Sequence, residues 1–133
     1  MESPEMVQHL LERAAFRATV MTKIDCFRSH RLLVGLNCFE PGQSQAVHTH
    51  TDADKFYLVL EGKATFVVAE REIEAGPSDL IVAPAGIPHG VARANERSVV
   101  LVAVAPAPKT EGKRVEGGER EEREGGGGGT SRR

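Results

Sequence analysis

Between residues 31 and 104 the chain alternates short apolar runs with polar stretches that carry turn residues. Arg31 to Phe39 (RLLVGLNCF) stops at Pro41-Gly42, and Lys55 to Leu60 (KFYLVL) stops at Glu61-Gly62. Ala64 to Ala69 (ATFVVA) ends before Glu70-Arg71-Glu72, Leu80 to Ala83 ends at Pro84, and Ser98 to Val104 completes the set. Short β-branched runs at this spacing predict antiparallel strands in an all-β barrel or sandwich. Glu61-Gly62 is a predicted hairpin turn, because glycine reaches positive φ without a Cβ clash. The exception is Val7 to Ala15, where Val7, Leu10, Leu11 and Ala14 fall at helical spacing and predict a short N-terminal helix or arm.

The pattern stops after Pro106 and Pro108. From Lys109 to Arg133 the only apolar residue of any size is Val115, and five glycines run from Gly125 to Gly129. Such a segment cannot bury enough surface to offset its ordering entropy. The reading is one barrel domain over residues 1–108 and a disordered Gly/Glu/Arg-rich tail over 109–133. A length of 133 residues agrees with one domain. The net charge is -2, with no basic stripe before the tail, so a nucleic-acid or anionic-membrane partner is not expected. No apolar stretch is long enough to span a bilayer. The N-terminus carries Glu2 and Glu5 and lacks the apolar run of a secretory signal, so the expected compartment is the cytoplasm. Cys26 and Cys38 lack the spacing of a zinc or redox pair and read as reduced thiols, Cys38 as a core residue.

Two segments carry chemistry. His48 and His50 are separated by one residue, and in a strand residues i and i+2 share a face. Two imidazoles on one face can bind one metal ion at about 2.0–2.1 Å per nitrogen. Downstream, Pro84, Gly86 and His89 form P-x-G-x-x-H, a turn that leads into a strand starting at the histidine. A third imidazole thus arrives from a different strand, and three imidazoles form a set that leaves coordination positions open. His9 and His30 read as surface residues.

With these spacings the chain resembles the cupin superfamily. The family's first motif, G-x5-H-x-H-x(3,4)-E-x6-G, is met by Gly42, His48, His50 and Gly62. Its second, G-x(5–7)-P-x-G-x-x-H-x3-N, is met by Gly76, Pro84, Gly86 and His89. The resemblance covers roughly residues 30 to 105. It implies a double-stranded β-helix barrel of six to eight strands with His48, His50 and His89 as metal ligands.

Two positions depart from the family. Lys55 stands where the motif has Glu, and Arg93 where it has Asn, with Asn95 two residues later. An ammonium at Lys55 would repel a divalent cation by several kcal/mol at an effective dielectric of about 20. Three arrangements follow: Lys55 turns its head to solvent and leaves a three-histidine site completed by water; Asp54 or Asp52 supplies the carboxylate; or the pocket holds no metal. Lys55 is open to two further roles, an inward anchor for an anionic substrate group or a surface ion pair. Tyr57 shares its face and is either a second pocket candidate or a core-packing residue.

The functional expectation is a metal-binding cupin with a small-molecule pocket and dioxygenase-like or isomerase-like chemistry at a divalent ion (Fe, Mn, Ni or Zn). The alternative is a non-catalytic small-ligand-binding module, with or without metal, the metal-free form following from Lys55 in place of the usual Glu ligand. Lys55–Leu60 and Val99–Val104 are apolar on both faces, so their outward faces need a cover. The N-terminal segment is one candidate and a second subunit the preferred one, which predicts a homodimer.

Overall fold

In the computed structural model, which describes residues 6–109, the pattern resolves into nine antiparallel strands. They are β1 (Thr22–Arg28), β2 (Leu33–Phe39), β3 (Gln45–His48), β4 (Asp54–Glu61), β5 (Ala64–Val68), β6 (Arg71–Ala75), β7 (Leu80–Ala83), β8 (His89–Ala94) and β9 (Ser98–Ala105). Five run in the order β1-β2-β9-β4-β7 and four in the order β3-β8-β5-β6. The two sheets enclose a core in which Phe39, Tyr57, Val59, Phe66, Val91, Val100 and Val102 are all buried. This is the double-stranded β-helix, with strands alternating between inward and outward residues.

The apolar runs are strands within two residues of their expected limits, and β8 begins at His89. The expected disordered tail lies, apart from Lys109, outside the described residues. The nine strands exceed the six to eight that the family resemblance implies, and β1 and β6 are two that the apolar pattern does not mark. β6 (REIEA) has charged, exposed residues that guard an edge of its sheet. Val7–Ala15 is not a helix over its length; only Leu10–Arg13 makes one turn, α1. A helix that short gains little on its own. The arm instead lays Leu10, Ala14 and Phe16 on Leu36, Cys38 and Val99, forming a second, smaller apolar cluster outside the barrel. Arg97 fastens it, stacking 3.9 Å from the Phe16 ring while donating to both carboxylate oxygens of Glu40 at 3.0 and 2.9 Å.

That arrangement bears on two expectations: Cys38 is a core residue, as the sequence reads, and the N-terminal segment is one of the two covers considered for the outward face. Cys38 is buried, but it faces this outer cluster and not the barrel interior. The outward face of β2 and β9 is covered by the chain's own arm together with Ile24 and Cys26 of β1.

Gly62 has φ +89°, and a Cβ there would collide with the Arg97 carbonyl and Ser98, but the turn joins β4 of one sheet to β5 of the other and is not the expected hairpin. The β5–β6 hairpin pairs Val68 with Arg71 across a two-residue loop, with Ala69 at φ 53° and Glu70 at φ 73°. Positive φ at both central residues is the type I′ geometry that Asn-Gly satisfies without strain. Replacing Ala69-Glu70 by Asn-Gly should therefore stabilise the fold by about 1 kcal/mol. The expected observation is a higher urea midpoint with an unchanged slope.

Candidate metal centre

The site is built on the ladder between β3 and β8. Gln45 pairs with Val91 and His48 with His89, so three residue steps on β3 oppose two on β8. In a regular strand Gln45 and His48, three apart, would point to opposite faces. The extra residue is a β-bulge at Ala46 and Val47, both exposed, and it turns Gln45 and His48 to the interior together. Gly90 makes room for it. A Cβ at Gly90 would lie 2.8 Å from the Gln45 carbonyl oxygen and 2.9 Å from Val47 Cα.

His50 lies just past the end of β3 and is placed by a different device. Its carbonyl accepts the Gly86 N–H at 2.8 Å, and Asp54 Oδ1 accepts the Ala85 N–H at 2.9 Å. The Ile87 N–H donates to the Pro84 carbonyl at 3.1 Å and closes the turn that delivers His89 to β8. The two motif segments are thus bonded to each other, through one backbone carbonyl and one side-chain carboxylate.

The three imidazoles converge. Their candidate ligand atoms all lie within 4.8 Å of one another. Ring centroids are 4.4 Å apart for His48–His89, 5.0 Å for His48–His50 and 5.4 Å for His50–His89. His48 Nδ1 is 3.1 Å from the Ala46 carbonyl oxygen and His89 Nδ1 is 2.9 Å from that of Ile87. A carbonyl only accepts, so Nδ1 carries the proton and Nε2 is the ligating nitrogen in both. Such backbone contacts are the outer support that orients metal-binding imidazoles. Bonds of about 2.0–2.1 Å require nitrogens about 3–3.4 Å apart, so ring-tip shifts of about 1 Å close the set on an ion. His89 is buried while His48 and His50 are half-buried, so the site opens on one side. The residues fit a divalent metal held by three neutral imidazoles.

Lys55 is the discordant group. It is 5% exposed, projects inward from β4, and holds its Nζ 4.7 Å from the Tyr57 ring centroid. This overturns both the expectation that its head turns to solvent and the surface ion pair: burial of Tyr57 and Val59 on the same strand face fixes the side to which Lys55 points. Asp54 does not supply a carboxylate, because it faces outward and caps the Ala85 amide; Asp52 is exposed. Among the described residues no carboxylate joins the cluster.

Tyr57 is buried in the barrel core, its ring 6.2 Å from that of His89. Its hydroxyl donates to Gln45 Oε1 at 3.1 Å. Gln45 carries no signal in the sequence, since only the bulge brings it to the face of His48. Its Nε2 is buried without a hydrogen-bond partner among the described residues. Arg93 lies at the surface beside Glu72, 3.4 Å away, and Asn95 accepts the Thr65 hydroxyl at 2.9 Å; neither belongs to the site. His9 and His30 are exposed. Burial pushes the Cys26 and Cys38 thiols up from their ordinary range, which keeps them protonated and poorly nucleophilic.

Because Gly90 sits under the bulge, Gly90→Ala must drive β3 away from β8. The expected cost is about 2–4 kcal/mol, as for other substitutions that force backbone apart. Hydrogen exchange should show loss of protection on the β3–β8 ladder while the β4–β9 ladder keeps its own.

Comparison with known proteins identifies the family and the fold. The family model described as Cupin domain matches residues 35–105. A solved structure from Thermus thermophilus is 38% identical, with a TM-score of 0.74, covering 78% of this chain and 100% of that one. An RmlC-like cupin from Desulfovibrio desulfuricans is 33% identical, with a TM-score of 0.70, covering 77% and 98%. KdgF from Halomonas sp. shares the fold at 18% identity, with a TM-score of 0.65 over 73% of this chain and 90% of that one. No curated protein matches the sequence. Fold, motif residues and sequence agree, and the chain belongs to the cupin superfamily.

Proposed function

We propose that this cupin holds a divalent metal ion through His48, His50 and His89 and uses it to bind and activate a small molecule inside the barrel. The observation that carries the reading is the convergence of three imidazoles within 4.8 Å, two of them oriented by backbone carbonyls. A bound ion would supply Lewis-acid chemistry of the isomerase kind or, if redox-active, oxygen-dependent chemistry of the dioxygenase kind. The protein's own contribution is positional. The apolar barrel excludes water behind the histidines, and Lys55, Tyr57 and Gln45 furnish the polar groups that hold a substrate. Fe, Mn, Ni and Zn all accept imidazole ligands.

A second reading is favoured by Lys55. A buried ammonium on the interior face opposes a cation and suits a metal-free pocket for an anionic ligand, without catalysis. Metal analysis of protein purified without a His tag separates the two. Near-stoichiometric metal, absent from the His48→Ala/His50→Ala variant, is the expected result. Oxygen uptake with small β-diketones, phenols and thiols then tests for the enzyme. Equal trace metal in both proteins leaves the metal-free reading.

The assembly belongs to the same proposal. With the arm covering β2 and β9, the outward apolar residues remaining on this sheet include Phe56 and Leu58 of β4, beside Leu80 (56% exposed) and Val82 (52% exposed) of β7. This patch is where a second copy would dock. Light scattering should give twice the 14.4 kDa chain mass, and Leu80→Lys/Val82→Lys should give the monomer.

A further inference from the structure

We infer that metal and substrate bind this site cooperatively, and that the substrate is a small carboxylate with a second oxygen donor next to the carboxyl group, as in a 2-hydroxy or 2-oxo acid. The inference rests on the metal reading of the three histidines. Its starting point is charge. Three neutral imidazoles bring no negative charge to a divalent cation, and the described residues add no carboxylate to the cluster. The ammonium of Lys55, only 5% exposed, faces the same interior. A metal ion entering alone would therefore place two positive centres in one weakly solvated chamber, where screening is poor.

An anion that reaches both centres removes the conflict. Three imidazoles leave other positions of a six-coordinate ion open, enough for a bidentate ligand. A chelating carboxylate occupies two of them and still has an oxygen lone pair for hydrogen bonding. The protein supplies donors for that oxygen. Lys55 is one. The other is Gln45 Nε2: Oε1 is committed to the Tyr57 hydroxyl at 3.1 Å, and this orients the amide so that its N–H groups, buried and otherwise unmatched among the described residues, serve an acceptor from outside the protein. Gln45 is 8% exposed, so a donor left unmatched there is costly and a ligand oxygen is a fitting partner. Tyr57 ties the two together, with Lys55 over its ring and Gln45 on its hydroxyl. A neutral ligand of the same shape would meet the metal but add no negative charge between it and the ammonium. By reciprocity of binding free energies, the factor by which the anion tightens the metal is the factor by which the metal tightens the anion.

The test uses the full chain and Co²⁺, whose visible spectrum reports coordination, with lactate and its uncharged counterpart lactamide as probes. For the parent protein, saturating lactate should tighten Co²⁺ binding at least about tenfold, measured against free Co²⁺ corrected for chelation, and lactamide should not. Lys55→Met should bind Co²⁺ alone about tenfold more tightly than the parent and lose most of the lactate effect. Lys55→Glu, which places a carboxylate in the chamber, should bind Co²⁺ tightly and be weakened by lactate. Equal effects of lactate and lactamide, or a lactate effect that survives in Lys55→Met, would overturn the inference. If the parent binds Co²⁺ tightly with no dependence on lactate, the metal reading stands and only the cooperativity falls. If none of the three proteins binds Co²⁺ under any condition, both fall.

Discussion

The extra residue that β3 carries against β8 is the constraint on which the site depends. A regular ladder would send either Gln45 or His48 to solvent, because side chains alternate with a period of two. The bulge at Ala46–Val47 breaks that alternation once, so the amide and the imidazole enter the barrel together and His48 lands opposite His89. It lies on an edge strand, where an unmatched backbone group can reach solvent, and it rests on the one β8 position without a Cβ. The cross-strand histidine pair, the inward Gln45 and its bond to Tyr57 are all consequences of that one insertion.

The third histidine is set by a separate constraint, the bonds that the Pro84–Gly86 turn donates to the His50 carbonyl and to the Asp54 side chain. Asp54 shows how strand register decides a residue's role. It sits next to the position where a cupin motif carries a carboxylate ligand, yet strand alternation turns it outward. There it accepts the Ala85 N–H and holds the turn, so a residue with the chemistry of a substitute ligand acts on the site only through the backbone.

Much of the fold is legible in the sequence because most strands are apolar on at least one face. Leu80–Ala83 and the strand beginning at His89 appear at the limits their turn residues predict. β1 and β6 are not legible: both are edge strands whose residues are mixed or charged, and neighbouring strands, not their own composition, make them extended. The helical spacing of Val7–Ala15 misleads for a related reason. An amphipathic segment this short takes the shape of the surface it covers, and here that surface is the outer face of β2 and β9. In the site, the three histidines are legible through the resemblance to the cupin motifs, while the strand rule that puts His48 and His50 on one face does not apply, because β3 ends at His48. Gln45 is not legible, because a bulge has no signature in the identities of Ala46 and Val47. For Lys55, the chemistry of an ammonium points to solvent and the register of its strand points inward, and register wins. Tyr57 and Val59, buried on the same face, determine where position 55 points.

That burial is the strongest statement this chain makes about its own specialisation. Lysine is rarely withdrawn from water unless something compensates its charge. Its neighbours here include an aromatic face, which offers a modest attraction, and the interior is shared with three imidazoles that stay neutral if they bind a metal. A position that would otherwise add negative charge to a cation site has been given positive charge instead, without loss of the histidine geometry. A metal centre with that substitution favours an ion that arrives with an anion over one that arrives alone. Selectivity for the ligand would then come from charge carried by the barrel wall, while the histidines set only where the ligand sits.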